Sequence, residues 1–304
     1  MKHNSKITTI LITMFIVTQL IGLSIISTYQ TIPLPYGMEP PEEIKDQPQG
    51  PSIIIAFIIA ITLFMILIKF NLSTFIRLWF FLVTTLALGL ALTAILFSLN
   101  ITTYYSLLAL IIALPLAYIK IFKRHLITHN LTELLIYPGI AAVFIPLLNV
   151  LWIIIILLLI SLYDIWAVWH SSFMEKMARY QIENLKFFTG FFIPYTNKKQ
   201  RKKIKQLKQK YKNNEKELEK HFKKSKIKVN LAILGGGDVI FPIITAGIFM
   251  IAYQSIIPAL IISLSATLSL LYLFILAKKG KFYPAMPFLT IGMYLGMIFY
   301  WLVF

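Results

Sequence analysis

The sequence contains no cysteine, and only 12 of its 304 residues are acidic. The missing thiols exclude disulfide bonds, thiolate metal sites and cysteine nucleophiles. Charged residues of both signs make up 13% of the chain, whereas soluble domains carry about 25%. Long uncharged runs take their place, and 58% of the residues are hydrophobic. We therefore predict an integral membrane protein with several spans.

The long apolar runs, which are uncharged except for one aspartate in each of two of them, predict an all-α membrane protein with nine transmembrane helices. One crossing takes about 20 residues, so the runs 78–119, 134–174 and 229–277 are each long enough for two spans or nearly so. Polar residues mark the dividing points, at 98–103, Asn149 and Gln254-Ser255. The expected spans are 7–27, 52–68, two within 78–119, 131–148, 150–173, two within 229–277, and 282–304.

Basic residues lie almost entirely on one side of the predicted spans. Residues 173–228 carry 18 Lys and Arg against five Glu, whereas the loop at 28–51 is acidic. The positive-inside rule places the N-terminus and the 173–228 loop in the cytoplasm and the C-terminus outside. The net charge of +17 then reflects the topology, because the basic residues lie on the cytoplasmic side, where they are attracted to anionic lipid headgroups. We predict no binding of nucleic acid, because no recognition motif accompanies the charge.

The same pattern divides the chain into three parts. Residues 1–172 hold spans one to six, 173–228 form a basic cytoplasmic loop, and 229–304 hold spans seven to nine. Within the loop, 185–194 is aromatic and β-prone, which is typical of either a segment lying on the membrane or a strand. Apolar residues at helical spacing predict a Lys-rich helix over 198–228.

Two aspartates interrupt the apolar runs, Asp164 in span six and Asp238 in span seven. From the expected span ends, each lies roughly 13 Å from the cytoplasmic face. An aspartate at bilayer depth costs about 2.5–3.5 kcal/mol, and neither has a Lys or Arg within a predicted span. Such carboxylates either hydrogen-bond a neighbouring helix, form a proton or sodium site, or share one proton as an aspartic protease dyad does.

Three short motifs stand in the sixth, seventh and ninth predicted spans: Tyr163-Asp164; Gly235, Gly236, Gly237 and Asp238; and Pro284, Ala285, Met286 and Pro287. In these motifs the whole chain resembles the presenilin and signal peptide peptidase family of intramembrane aspartyl proteases. The family has Tyr-Asp, Gly-x-Gly-Asp and Pro-Ala-Leu there. The resemblance implies catalytic Asp164 and Asp238, an active-site motif of Tyr163 and the three glycines, and substrate binding at 284–287.

The third motif differs from the family's pattern at one residue, and the sequence contains a second copy of it. Met286 replaces the family's Leu, a residue of similar volume. A second copy, Pro258-Ala259-Leu260, matches the letters better but is predicted near the outer end of span eight. We therefore assign the motif to 284–287. We also expect Pro284 and Pro287 to keep the start of span nine from forming regular helix.

The resemblance implies an aspartic-type endopeptidase of the cell membrane, with no cofactor and no metal. Its expected substrates are single-span membrane proteins, or their stubs, with the N-terminus outside. The expected partners are these transmembrane helices and the lipid bilayer, and partner subunits stay unknown. An ion-coupled transporter or channel that uses the same two aspartates is the alternative.

Overall fold

The computed structural model of the chain describes residues 5–40, 49–70, 72–101, 103–123, 125–170, 185, 188–195, 230–277 and 283–304. Most of the predicted loop at 173–228, including the predicted Lys-rich helix 198–228, lies outside the described residues. The chain forms two compact units. One comprises 1–191 with 235–304 and holds the helices, and the other comprises 192–234.

The first unit is mostly helical in its described residues. Its helices are α1 (Ser5–Tyr29), α2 (Gly50–Lys69), α3 (Ser73–Ser98), α4 (Tyr105–Phe122), α5 (Leu126–Phe144), α6 (Val150–Trp169), α7 (Gly236–Ala252), α8 (Ile256–Leu276) and α9 (Met286–Val303). Eight of these are long and apolar enough to cross a membrane, and α7 is a shorter apolar helix of 17 residues. The chain is therefore an integral, multi-pass membrane protein.

The polar breaks that divide the long apolar runs are helix ends in the structure. The side chain of Asn149 caps α6 by accepting a hydrogen bond from the N–H of Trp152 at 2.9 Å. Ser255 caps α8 in the same way, through the N–H of Ile257 at 3.2 Å. Asn and Ser are preferred caps because their side chains satisfy amides that have no partner within the helix. The division at both positions was therefore predictable.

Helix α5 begins earlier than the sequence predicts, at Leu126 instead of 131. His125 caps it by accepting from the N–H of Thr128, a signal that hydropathy does not contain. Pro138 lies inside the helix, and Pro146 lies in a short 3-10 turn, Ile145–Leu147, that follows it. The earlier start brings Glu133, which the hydropathy pattern places near the end of a span, well inside a helix.

The start of span seven is strand where the sequence predicts helix. Strand β1 (Gly190–Tyr195) pairs with β2 (Asn230–Gly235) in a two-stranded sheet, and α7 begins directly after β2. The protein is thus mostly helical, and the expectation of an all-α chain is wrong for these two segments. Gly235, Gly236 and Gly237 favour the switch because glycine is a poor helix former, while a partner strand satisfies the backbone groups of 230–235.

Helix α7 is the best-buried element of the helical unit. Nearly every residue from Pro242 to Met250 is buried, and the helix contacts α1, α5, α6, α8 and α9. By contrast, α2 buries only Gly50. The first turn of α7 carries Asp238, so the fold places one of the two intramembrane carboxylates at the end of its central helix.

Candidate functional site

Asp164 lies on α6, five residues before its end, and its side chain is buried. Its Oδ2 atom accepts a hydrogen bond of 3.0 Å from the backbone N–H of Met286. The N–H of Ala285 donates to the same carboxylate. Both amides belong to the start of α9, where backbone N–H groups have no partner within the helix and the helix dipole favours an anion. The start of α9 therefore orients Asp164.

Asp238 is the third residue of α7. Its carboxylate accepts a hydrogen bond from the backbone N–H of Gly235, the residue before the helix. This is one half of a capping box, in which a side chain in the first turn reaches back to the N-cap amide. The sequence predicts Asp238 nine residues into a helical span, and that is wrong because the preceding residues form β2.

The structure brings the two carboxylates together from different helices. Asp164 and Asp238 interact electrostatically, although they are 74 positions apart in the sequence. In the described part of the chain, neither of them forms an ion pair with a Lys, Arg or His. Two acids this close, each held by backbone amides, can share one proton but cannot both ionise cheaply.

The Pro284–Pro287 segment meets Asp164 through its backbone, as the two amide hydrogen bonds show. Pro284 and Met286 are buried. The expectation that both prolines prevent regular helix is wrong for Pro287, because α9 begins at Met286 and Pro287 occupies its first turn. Proline fits there since the first helical N–H groups have no partner to lose. Pro258 of the second copy likewise lies in the first turn of α8.

A ladder of hydrogen bonds joins α6 to α9 beyond the Asp164 contact. Ser161 Oγ donates to Thr290 Oγ1 at 2.8 Å, and Tyr294 donates its hydroxyl to the carbonyl of Ile154 at 2.6 Å. The α6 members lie on one helix face, and so do Met286, Thr290 and Tyr294, at a spacing of four. This ladder was not predicted, although Thr290 and Tyr294 follow Met286 of the third motif at intervals of four residues in the sequence.

The remaining motif residues surround the two acids in different ways. The ring of Tyr163 packs toward Trp166, with centroids 6.3 Å apart. A Cβ atom on Gly236 would lie 2.8 Å from Tyr137 Cε1, so α5 and the turn that carries Asp238 approach each other there as only a glycine permits. Gly237 is exposed, and a Cβ atom on it would meet nothing within 4 Å. The three glycines therefore have different roles.

One buried amide reaches the same turn from α1. Gln19 donates from Nε2 to the carbonyl of Val239 at 3.1 Å, and its side chain is buried. Val239 follows Asp238 directly. A glutamine within an apolar span can be recognised from the sequence. An unpaired polar group in hydrocarbon costs about 2–7 kcal/mol, so such a residue is expected to have a hydrogen-bond partner in the fold. Sequence analysis overlooked it.

A second group of buried charges lies on α4 and α5. Lys120 pairs with Glu133, and both side chains are buried. His129 lies one turn before Glu133, with Nε2 3.5 Å from its Oε1 atom. In the sequence Lys120 directly follows the run 78–119 and so looks like a charge that flanks a span, and its pairing with Glu133 was not predicted. The signal was available, because His129, Glu133 and Tyr137 recur every four residues and so share one helix face.

The chain is similar to a known protein family and to solved structures. Residues 12–304 match the family model described as signal-peptide peptidase, presenilin aspartyl protease. One similar solved structure is a presenilin family intramembrane aspartate protease in the C222 space group, with 17% identity, coverage of 96% of this chain and 97% of that chain, and a TM-score of 0.60. A second, in the P2 space group, has 18% identity, 95% coverage of each chain and a TM-score of 0.58. No curated protein matches this chain.

Proposed function

Because this chain belongs to the signal-peptide peptidase and presenilin aspartyl protease family and is an intramembrane aspartic-type endopeptidase, we propose that Asp164 and Asp238 are its catalytic pair. The observation that supports the assignment is the electrostatic interaction between the two carboxylates, one on α6 and one on α7. Each acid is held by backbone amides, so neither depends on a side chain for its orientation.

The proposed reaction is hydrolysis of a peptide bond by water. The pair begins with one proton between its two carboxylates. The ionised carboxylate removes a proton from water, whose oxygen attacks the carbonyl carbon, while the protonated carboxyl donates to the carbonyl oxygen. Collapse of the tetrahedral intermediate then breaks the C–N bond: the leaving nitrogen takes the proton of the protonated carboxyl, and a hydroxyl of the intermediate returns a proton to the other carboxylate, so the pair again holds one proton. The amides of Met286 and Gly235 keep the two acids aimed at the reacting group throughout.

The proposed substrate is a transmembrane helix that unwinds locally. A helix hides its peptide bonds within its own hydrogen bonds, and hydrocarbon offers no replacement partners. The exposed backbone at Gly237 has room for a second chain. We assign Tyr163, Gly235 and Gly236 to the support of the active site. We assign Pro284, Ala285, Met286 and Pro287 to substrate binding and to the orientation of Asp164.

The proposed topology has nine spans, with the N-terminus in the cytoplasm and the C-terminus outside. Spans one to six lie within residues 1–172, and the basic loop 173–228 follows them. Helix α7 is then the seventh span, and the last two spans complete residues 229–304. The strong charge of the loop supports this orientation. The proposed location is the cell membrane, and the proposed substrates are single-span proteins, or their stubs, with the N-terminus outside.

A cleavage assay with purified protein in liposomes tests the assignment. The substrate is a single-span reporter, and the variants are Asp164→Asn and Asp238→Asn. We expect wild type to cut the reporter and both variants to lose all cleavage while inserting normally. Cleavage by either variant would remove that residue from the catalytic pair. The family match does not favour a transporter. Cation flux through a wild-type protein that never cleaves the reporter would support one.

A reporter of inverted topology tests the substrate class. We expect preferential cleavage of the reporter with its N-terminus outside. Equal or reversed preference would overturn the proposed substrate class and leave the catalytic assignment in place.

A further inference from the structure

The buried charges of α4 and α5 connect two segments that adjoin the proposed catalytic pair. Glu133 and Lys120 are each at most 4% exposed, so the ion pair is shielded from solvent. Burying both charges is expensive, and an apolar pair of similar size is often equally stable or more so. Fold stability alone therefore gives little reason for this pair. Its other contacts indicate what it does.

On one side, the cluster holds the first residue of β1. The backbone N–H of Gly190 donates to Glu133 Oε1 at 3.4 Å. The carbonyl of Gly190 is 2.9 Å from His129 Nε2. Gly190 has a φ of 145°, a conformation that favours glycine. Both backbone groups of this residue are thus bound to α5.

A second basic residue anchors the chain a few positions earlier. Arg77 on α3 donates from Nε to the carbonyl of Leu185 at 2.9 Å. Leu185 is fully buried and packs with Ile76 and Ile121. The segment that leads into β1 is therefore attached to the helices at both Leu185 and Gly190.

On the other side, the cluster reaches the turn that carries Asp238. Tyr137 lies one turn after Glu133 on the same face of α5 and is buried. Its ring packs edge-on against Phe191, with centroids 5.7 Å apart, and lies against Gly236. One ring therefore contacts both the start of β1 and the catalytic turn.

We propose that Glu133 is a positioning residue of the active site: paired with Lys120, it fixes Gly190 at the start of β1 and orders Tyr137 against the Gly236–Asp238 turn. This inference rests on the proposed catalytic role of Asp238. Glu133 itself touches neither substrate nor reacting atoms. Lys120 pairs with the Glu133 carboxylate, and the ring of Tyr137, one helical turn further on, lies against Gly236.

The decisive variant is the double substitution Lys120→Met with Glu133→Leu, which replaces the pair by apolar side chains of similar length. We expect its melting temperature to stay close to that of wild type, because both charges are removed together and the hydrogen bond lost from Gly190 is a long one of 3.4 Å. We expect kcat to fall by on the order of 100-fold with little change in KM, as when a catalytic group moves by about 1 Å. A stable double variant with wild-type kcat would overturn the proposal.

A second comparison removes one ring at a time. Tyr137→Leu should lower kcat, because the ring of Tyr137 packs against Phe191 and Gly236. Tyr29→Leu is the matched control, since Tyr29 donates its hydroxyl to the carbonyl of Leu90, outside the cluster. Equal kcat in the two variants would contradict the proposal even if the double variant did not fold.

Amide hydrogen exchange gives a readout that does not depend on proteolysis. We expect the amides of Gly190 and Phe191 to exchange faster in the double variant than in wild type, with unchanged exchange in α8. Unchanged exchange at both amides would overturn the anchoring of β1. A wild type that exchanges as expected but never cleaves would contradict the proposed catalytic assignment and leave the anchoring intact.

Discussion

The backbone N–H of Met286 donates a hydrogen bond to Asp164 Oδ2 at 3.0 Å, across 122 positions of sequence. The donor is the first residue of α9, and the acceptor is buried on α6. The contact links the third motif, at the start of α9, to the first motif on α6, because the free backbone amides at the start of a helix bind a carboxylate.

The two Pro-Ala copies should respond differently to substitution. Pro284 is buried and directly precedes the two amides that bind Asp164, so Pro284→Ala should lower kcat/KM by up to about 100-fold through misplacement of that carboxylate. Pro258→Ala is the control, since a first-turn proline is replaceable. Reporter cleavage measures both, and a larger loss in Pro258→Ala would show that the motif is assigned to the wrong copy.

Two neighbouring glycines provide a matched pair. Gly236→Ala places a methyl group 2.8 Å from the ring of Tyr137, so it should lower kcat and thermal stability together. Gly237→Ala fits without a contact in the free protein, so it should keep stability and raise KM if substrate backbone approaches there. Melting curves and kinetics of both variants separate the effects. A wild-type KM in Gly237→Ala would contradict the proposed approach of substrate.

The ladder between α6 and α9 predicts a defect away from the acids. Thr290→Val keeps the shape of the side chain but removes the acceptor for Ser161. We expect a loss of about 0.6 kcal/mol, and at most about 1.7 kcal/mol, of stability in the membrane, together with lower kcat. The control is Thr267→Val, because Thr267 donates to the carbonyl of Ser263 within its own helix α8. Equal kinetics for the two variants would show that the ladder does not support Asp164.

The pH dependence of cleavage should be bell-shaped. The proposed pair works with one proton, so activity falls at high pH when that proton leaves and at low pH when both acids are protonated. The two limbs describe the pair and belong to neither Asp164 nor Asp238 alone. The measurement is kcat/KM against pH in liposomes, with folding checked at each value. Constant activity from about pH 5 to about pH 10 would contradict a shared proton.

The sequence alone determined the membrane class, the helices other than α7, and the identity of the motifs. These depend on hydropathy, on the capping residues Asn149 and Ser255, and on short patterns such as Tyr163-Asp164, which all act over a few residues. The bilayer makes these signals strong, because an apolar run of sufficient length has few other stable states.

Only the tertiary structure decided how the motifs meet. Whether 230–235 is strand or helix depends on a partner strand about 40 positions away, which no local pattern specifies. The donors to Asp164 and Asp238 are backbone amides, and every residue except proline has one, so composition cannot reveal them. The burial of Glu133 with Lys120 depends on the packing of α4 and α5, because the same charges at a free helix end would remain in water.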